Sequence, residues 1–329
     1  MAYKSDDLKQ FHVQKIKDYF YDHHEGSKAL LSEETGISKT TCTTILKEME
    51  AQGFLIQKAC YASTGGRPGK QYQLNKDYQH SCLIDIKNGK YVQVIIEVRN
   101  LYSEIIKTNW GEFQEFKLEY LYQMLDEIMA QDSFVSVIAV SIPGVVDQNG
   151  SIGQCDIKTL EKQNLKTILE EKWDVKVVVE NDVNLAVVGY HQGEESLVFL
   201  YQPQCMYSGC GIMLNHCLYR GNTLFAGEVG YLASCFGRQP EDRGSAKELL
   251  IHQLVALICI LNPKTIAICS FYGFEITEIT EELKKYIDRN HFPELLIEEN
   301  MESYILKGLM EASIDIQRNH FKIKQVRKV

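Results

Sequence analysis

An asparagine and an aspartate stand side by side, Asn181-Asp182, directly after the apolar run Val175–Glu180. A strand ending on such a pair offers one amide that donates beside one carboxylate that accepts, which suits neighbouring hydroxyls of a polyol. The same two side chains suit the start of a helix near Val183, with Asn181 as its cap and Asp182 at the positive end of its dipole. Both duties are compatible. A second set of chemistry-bearing residues lies near the N-terminus. Ser38, Lys39, Thr40, Thr41, Thr43, Thr44 and Lys47 put short hydroxyls and bases at the outward start of a helix. Such groups meet base edges and phosphates in a major groove. Downstream, Gly65-Gly-Arg67-Pro-Gly-Lys70 holds an arginine extended between glycines and a proline, a form that fits a narrow minor groove and also a hairpin tip or linker.

The elements that position these residues follow from local signals. Leu8, Phe11, Ile16 and Tyr19 or Phe20 recur at helical spacing, predicting a helix over 6–22. Lys28–Thr35 is a second helix burying Leu30 and Leu31, and a third runs from Lys39 to Gln52, stopped by Gly53. Gly36-Ile37-Ser38 separates them as a turn closed by glycine and reopened by a serine cap. Ile37, Cys42, Ile45, Leu46 and Met49 form the inward face of the third helix, and Phe54–Lys58 with Gln71–Leu74 form a wing around the Arg67 loop. This is a winged helix-turn-helix over residues 1–78.

From residue 79 the pattern changes. Strands are expected at Cys82–Ile86, Tyr91–Val98, Tyr102–Thr108, Val135–Ser141 and Val175–Glu180, with helices at 115–130, 161–172 and from Val183. A second cycle opens with Leu197–Tyr201, Gly209–Leu214 and Leu218–Tyr219, and continues with helices at 245–261, 276–288 and 303–318 around the strand Thr265–Cys269. Three strands followed by alternating helices and strands, performed twice, describe a two-lobed α/β body with a cleft: one lobe over 79–194, the other over 195–329. The C-terminal helix is expected to pack back on the first lobe.

Charge is unevenly spread over the 329 residues. Residues 1–80 hold 11 Lys and Arg against 10 Asp and Glu, and the remainder holds 24 against 34. The acid belongs to the body, while Lys39, Lys47, Lys58, Arg67 and Lys70 cluster near the third helix and wing, a footprint modest enough for a dimeric DNA reader. Ten cysteines at irregular spacing fit a reducing cytoplasm better than a disulfide framework. The first residues lack the apolar core of a signal peptide, and no membrane span is expected.

The winged helix, the Gly-Gly-Arg-Pro segment, Ser141-Ile-Pro-Gly144-Val-Val-Asp147, Val179-Glu-Asn-Asp-Val-Asn184, Ala226-Gly-Glu228-Val-Gly230 and Leu261-Asn-Pro-Lys264 occur in the order typical of the ROK family. That family comprises repressors, open reading frames and sugar kinases, and the chain resembles its repressor branch over nearly its whole length. The resemblance implies an actin/ribonuclease-H-like ATPase-type, sugar-kinase-like body behind the winged helix. It assigns Asn181, Asp182, Glu228, Tyr231 and Gly144 to an effector site, and Asp182 matches the kinases' general base. Tyr231 would stack on a sugar or fill its space.

The chain departs from the family where phosphates bind. Lys87 and Asn88 stand in place of glycine and threonine after Asp85, Tyr207-Ser-Gly-Cys-Gly211 only half keeps a second phosphate turn, and Ser270-Phe271 replaces a glycine pair. The family's zinc signature is also missing: Tyr231 stands for its histidine and Cys235 stands alone. The expectation is a cytoplasmic, homodimeric regulator of carbohydrate genes that binds operator DNA and a sugar effector, with no catalytic activity, no cofactor and no metal. An ATP-dependent sugar kinase, or a regulator that has lost its ligand, is the alternative.

Overall fold

The computed structural model describes residues 5–58, 70–204, 207–232 and 240–320. The N-terminal module runs α1 (Ser5–His23), β1 (Glu25–Ser27), α2 (Lys28–Thr35), α3 (Lys39–Ala51), β2 (Leu55–Lys58) and β3 (Gln71–Leu74), with an antiparallel sheet ordered β1-β3-β2. Ser27 caps α2 and Ser38 caps α3, each accepting from a backbone amide three residues on, while Gly36 at φ +70° ends α2 in the left-handed region. Ile37, Cys42, Ile45, Leu46 and Met49 are all buried, as their spacing predicts.

Two inward faces differ from expectation. Leu8 and Phe11 of α1 are exposed, and the helix buries Val13, Ile16, Lys17 and Phe20 instead, because it packs against the C-terminal helix as well as against α2. Leu30 is exposed while Leu31 is fully buried.

The first lobe contains β4 (His80–Lys87), β5 (Val92–Arg99), β6 (Ile105–Phe113), α4 (Leu118–Gln131), β7 (Val135–Ile142), the hairpin β8 (Gly144–Val146) and β9 (Ile152–Cys155), α5 (Leu165–Trp173), β10 (Lys176–Asn181) and α6 (Asp182–Tyr190). Its sheet is ordered β10-β7-β4-β5-β6, antiparallel on the β5–β6 side and parallel on the other. The second lobe repeats the plan with β11 (Ser196–Gln202), β12 (Gly209–Leu214), β13 (Cys217–Leu218), α7 (Arg243–Leu261), β14 (Thr265–Ser270), α8 (Ile276–Leu283), β15 (Glu294–Glu298) and α9 (Glu302–His320). Its order, β13-β12-β11-β14-β15, is the same arrangement of three antiparallel strands flanked by two parallel ones. α7 is long and apolar enough to cross a membrane by length and composition, and its Leu250, Leu254, Leu257 and Ile258 lie in the second-lobe core.

α9 leaves its own lobe and packs on α6, β7 and β4, where Ile305, Leu309 and Met310 join Leu83, Ala139 and Val187 in one core. At the α6–α9 crossing, a Cβ on Gly189 would lie 2.0 Å from the Tyr304 carbonyl, and one on Gly308 2.2 Å from that of Leu185. The two helices therefore meet backbone to backbone, which only glycine permits. Several boundaries shift: β6 starts at Ile105 because Ser103, at φ +60°, still belongs to the turn. α5 starts at Leu165 behind an Asn164 cap, since Lys162 at φ +63° interrupts any earlier helix. α8 ends at Leu283, five residues before the expected 288.

Candidate functional site: an acidic cleft and an exposed helix face

A cleft of about 790 Å³ opens between the lobes. Its first-lobe wall comes from the ends of β4 and β10 and from the β8–β9 hairpin; the second lobe supplies Arg220, Glu228, Tyr231 and the start of α9. Asn181 holds the junction of β10 and α6. Its Oδ1 accepts from the amides of Val183 and Asn184, both at 3.0 Å, and its Nδ2 donates to the Gly144 carbonyl at 3.2 Å. The carboxamide oxygen is fully used by the cap, so what Asn181 retains for the cleft is its second N–H. Gly144 lines the cleft through its backbone; a Cβ there would lie 2.8 Å from the Gln154 carbonyl, so the hairpin register excludes a side chain.

Asp182 Oδ1 accepts from the Val183 amide at 2.8 Å. Its carboxyl faces the cleft yet is packed closely enough that burial, followed by the Asp85 charge, pushes its pKa up to about 8. Glu228 is raised by burial and by Asp156, and Asp156 is raised by burial against the pull of Lys158. Asp85, almost fully buried, is raised by burial, with Lys87 and Ser141 offsetting part of the effect. Four carboxyls around one cleft are thus held above their ordinary range. A protonated Asp182 can donate to a hydroxyl, whereas a charged one can only accept.

Lys87 lies 2.6 Å from Glu302 Oε1 and 3.5 Å from Asp85 Oδ2, and Asn88 donates to the Asp156 carbonyl at 3.2 Å. The ammonium that replaces a phosphate-turn glycine is committed to protein carboxylates. The turn therefore does not fit a triphosphate, which would meet Asp85, Asp156 and Asp182 there with Lys87 already engaged. Nor do the residues present fit the family's zinc: the Tyr231 hydroxyl donates to Gln154 Oε1, and among the described residues no three His, Cys, Asp or Glu side chains gather as a metal group. Cys205 and Cys235 lie outside the described residues.

Besides the Lys87–Glu302 pair, two further contacts among the described residues bridge the lobes at the cleft, and neither has a signal in the sequence. Arg220 donates through Nε at 2.8 Å and Nη2 at 2.6 Å to Glu180 Oε2, while Glu180 Oε1 accepts from the Asn181 amide and from Asn184 Nδ2. Tyr231, joined to Gln154 across the gap, has its ring stacked on Tyr207 at 5.8 Å and tilted against Phe225 at 5.1 Å. Of these exposed rings, Tyr207 and Tyr231 line the cleft and give it an apolar surface.

On the N-terminal module, Ser38, Lys39, Thr40, Thr44 and Lys47 are exposed, and Thr41 and Thr43 are half-buried. Several hydroxyls are used locally: Thr41 pairs with Ser38 at 2.9 Å, Thr43 donates to the Lys39 carbonyl at 2.7 Å, and Thr44 to that of Thr40 at 3.3 Å. Lys39, Lys47 and the exposed Lys70 make no ion pair among the described residues, whereas Lys58 pairs with Glu25 at 2.7 Å. Arg67 lies outside the described residues.

Two like-built lobes around a cleft define the sugar-kinase-like fold. Residues 93–240 match the model of the ROK family, and the chain carries a ROK family domain. The solved structure of a ROK family transcriptional regulator, a homolog of the E. coli MLC protein, superposes with a TM-score of 0.68 at 16% identity, covering 94% of this chain and 98% of that one. The xylose repressor of Caldicellulosiruptor bescii is 24% identical over 237 residues, 68% of this chain and 59% of the repressor. The beta-glucoside kinase of Listeria innocua is 32% identical over 138 residues, 40% of this chain and 47% of the kinase. The chain spans about 60% of the length of the curated xylose repressors it matches.

Proposed function

We propose that this protein is a sugar-responsive transcriptional repressor: a winged helix-turn-helix that reads operator DNA, governed by a non-catalytic cleft that takes a neutral sugar. The observation that carries the reading is Lys87. Its ammonium is locked between Asp85 and Glu302 at the place a kinase needs for phosphates, while Lys39 and Lys47 on α3 stay unpaired among the described residues and face outward. The cation at the expected phosphate turn is spent on protein carboxylates, while those on the helix stay available. The first turn of α3 then enters a major groove with Lys39 and Thr40 foremost, and two copies bind paired half-sites as a homodimer.

For the effector, the stacked Tyr207 and Tyr231 rings suit the apolar face of a pyranose, and Asp182, Glu228 and the second N–H of Asn181 suit its hydroxyls. The names of the related repressors make xylose the first sugar to test. A gel-shift titration of a fragment from upstream of its own gene, with and without xylose and other neutral sugars, tests the reading. Failure to bind that fragment at low salt sinks it.

A second reading, an ATP-dependent sugar kinase, draws on Asp182, whose raised pKa would serve a general base, and on the similarity to the beta-glucoside kinase. A coupled phosphorylation assay separates the two. Turnover abolished by Asp182→Asn establishes the kinase, and none is expected.

A further inference from the structure

We propose that α9 is a rigid rod that carries the state of the cleft to the N-terminal module, gripped at one end through Glu302 and at the other through the carbonyls of Gln317 and Arg318. This rests on the reading of the chain as a cleft-controlled DNA binder and names its internal wiring.

The cleft end is the Glu302–Lys87 ion pair at 2.6 Å, which ties the first turn of α9 to β4 beside Asp85. From there α9 runs 19 residues, about 28 Å at 1.5 Å per residue. Over its first half it cannot slide along α6, because Gly189 and Gly308 seat each helix against the other's backbone. α6 itself begins at Asp182, so both helices start at the cleft and are locked together beyond it. The far half is buried on the first-lobe sheet, where Gln317 Nε2 donates at 3.2 Å to the hydroxyls of both Ser81 and Ser136.

The far end meets α1. Lys17 is fully buried, and its Nζ donates to the Gln317 carbonyl at 2.7 Å and to the Arg318 carbonyl. Gln14 Nε2 also donates to the Arg318 carbonyl, at 3.2 Å, and the Arg318 guanidinium pairs with Asp22 at 2.5 Å. An ammonium at a helix C-terminus meets the negative end of the dipole. Burial nevertheless lowers the Lys17 pKa to about 7, so folding accepts a costly desolvation to place a cation there. A buried lysine that docks a helix end fixes the position of that end relative to α1, and α1 packs on α2, next to α3. A sugar that draws Lys87 or Asp182 toward itself shifts the start of a helix whose other end is held by the reader. Coupling through packed elements of this kind requires a rigid connector with both ends engaged.

The test is a double-mutant cycle on the full chain, without sugar: parent, Glu302→Gln, Lys17→Met and both together. Amide hydrogen exchange in α1 and α3 is read alongside gel shifts on the upstream fragment. Glu302→Gln is expected to change exchange in α1 and to change fragment affinity at least about threefold, which corresponds to about 0.7 kcal/mol of coupling. In the Lys17→Met background both responses should vanish, while the exchange change in the first turn of α9 persists. Equal responses to Glu302→Gln in both backgrounds, or none in α1 of the parent, overturn the rod. Should Lys17→Met not fold, Gln14→Ala with Asp22→Ala loosens the same grip, and an undiminished Glu302→Gln response there also overturns it. A parent that binds no fragment sinks the regulator reading instead, and the exchange cycle then decides the rod alone.

Discussion

Replacing Asp182 by asparagine should stabilise the folded protein, and increasingly so as pH rises. The carboxyl goes from an ordinary 3.8 to about 8 in the folded chain, so between those pH values the folded state keeps a proton that the unfolded state has released. Stability must therefore fall with rising pH across this window. At about 1.36 kcal/mol per unit, the penalty at pH 7 has a ceiling of about 4 kcal/mol. Asp182 opens onto the cleft, where solvent screens it, and it shares its charge with Asp85, so about 2 kcal/mol is the expected size. Asparagine is nearly isosteric and its carbonyl oxygen can accept the Val183 amide as Oδ1 does now, so no cap contact is lost. Thermal and urea melts of parent and Asp182→Asn at pH 4.5, 6 and 7.5, without sugar and at fixed ionic strength, read the effect. The melting-temperature gap should be near zero at pH 4.5 and reach about 3 °C in favour of the variant at pH 7.5. A gap independent of pH, or a variant less stable at pH 7.5, would refute the electrostatic account of the cleft.

Other outcomes follow from the same geometry. Gly189→Ala should cost about 3 kcal/mol, because its new methyl meets the Tyr304 carbonyl backbone rather than a yielding side chain; urea unfolding measures it. Lys39→Ala should weaken binding to all DNA fragments alike and reduce the slope of log affinity against log salt by about one. Thr40→Ala, with its side chain exposed on the first turn of α3, should instead relax sequence preference, losing about 1–3 kcal/mol at a single base pair in a competition assay. A chelator should leave the melting temperature unchanged, and elemental analysis should find well below one zinc per chain.

How much the sequence revealed depended on whether its signals were local. The turn between α2 and α3 was legible because Gly36 and Ser38 act on amides and dihedrals within three residues of themselves. The cap that Asn181 forms on α6 was legible for the same reason. The buried face of α1 was legible in part: Ile16, Tyr19 and Phe20 are buried as expected, whereas Leu8 and Phe11 obey helical spacing yet are exposed, and the burial of Lys17 is dictated by carbonyls some 300 residues away. β15 carries no expectation from the sequence, because Leu295, Leu296 and Ile297 are a short apolar run among acids and become a strand only through parallel pairing with β14. At the cleft, Asn181, Asp182, Glu228, Tyr231 and Gly144 do converge on one cavity. Glu180, Arg220, Gln154 and the Lys87–Glu302 pair went unread because each depends on the approach of two elements from different parts of the chain.

The grip of Lys17 on the end of α9 also sets an order of events during synthesis. The N-terminal module leaves the ribosome first and can close its own core around Ile16, Phe20 and Met49. Its Lys17, however, finds the Gln317 carbonyl only after 300 more residues, about 15–60 s later at common elongation rates. Until then that side of α1 must stay open to solvent with its ammonium hydrated. A nascent chain can therefore own a folded reader well before it owns the docked one, and only completion of α9 converts the first into the second.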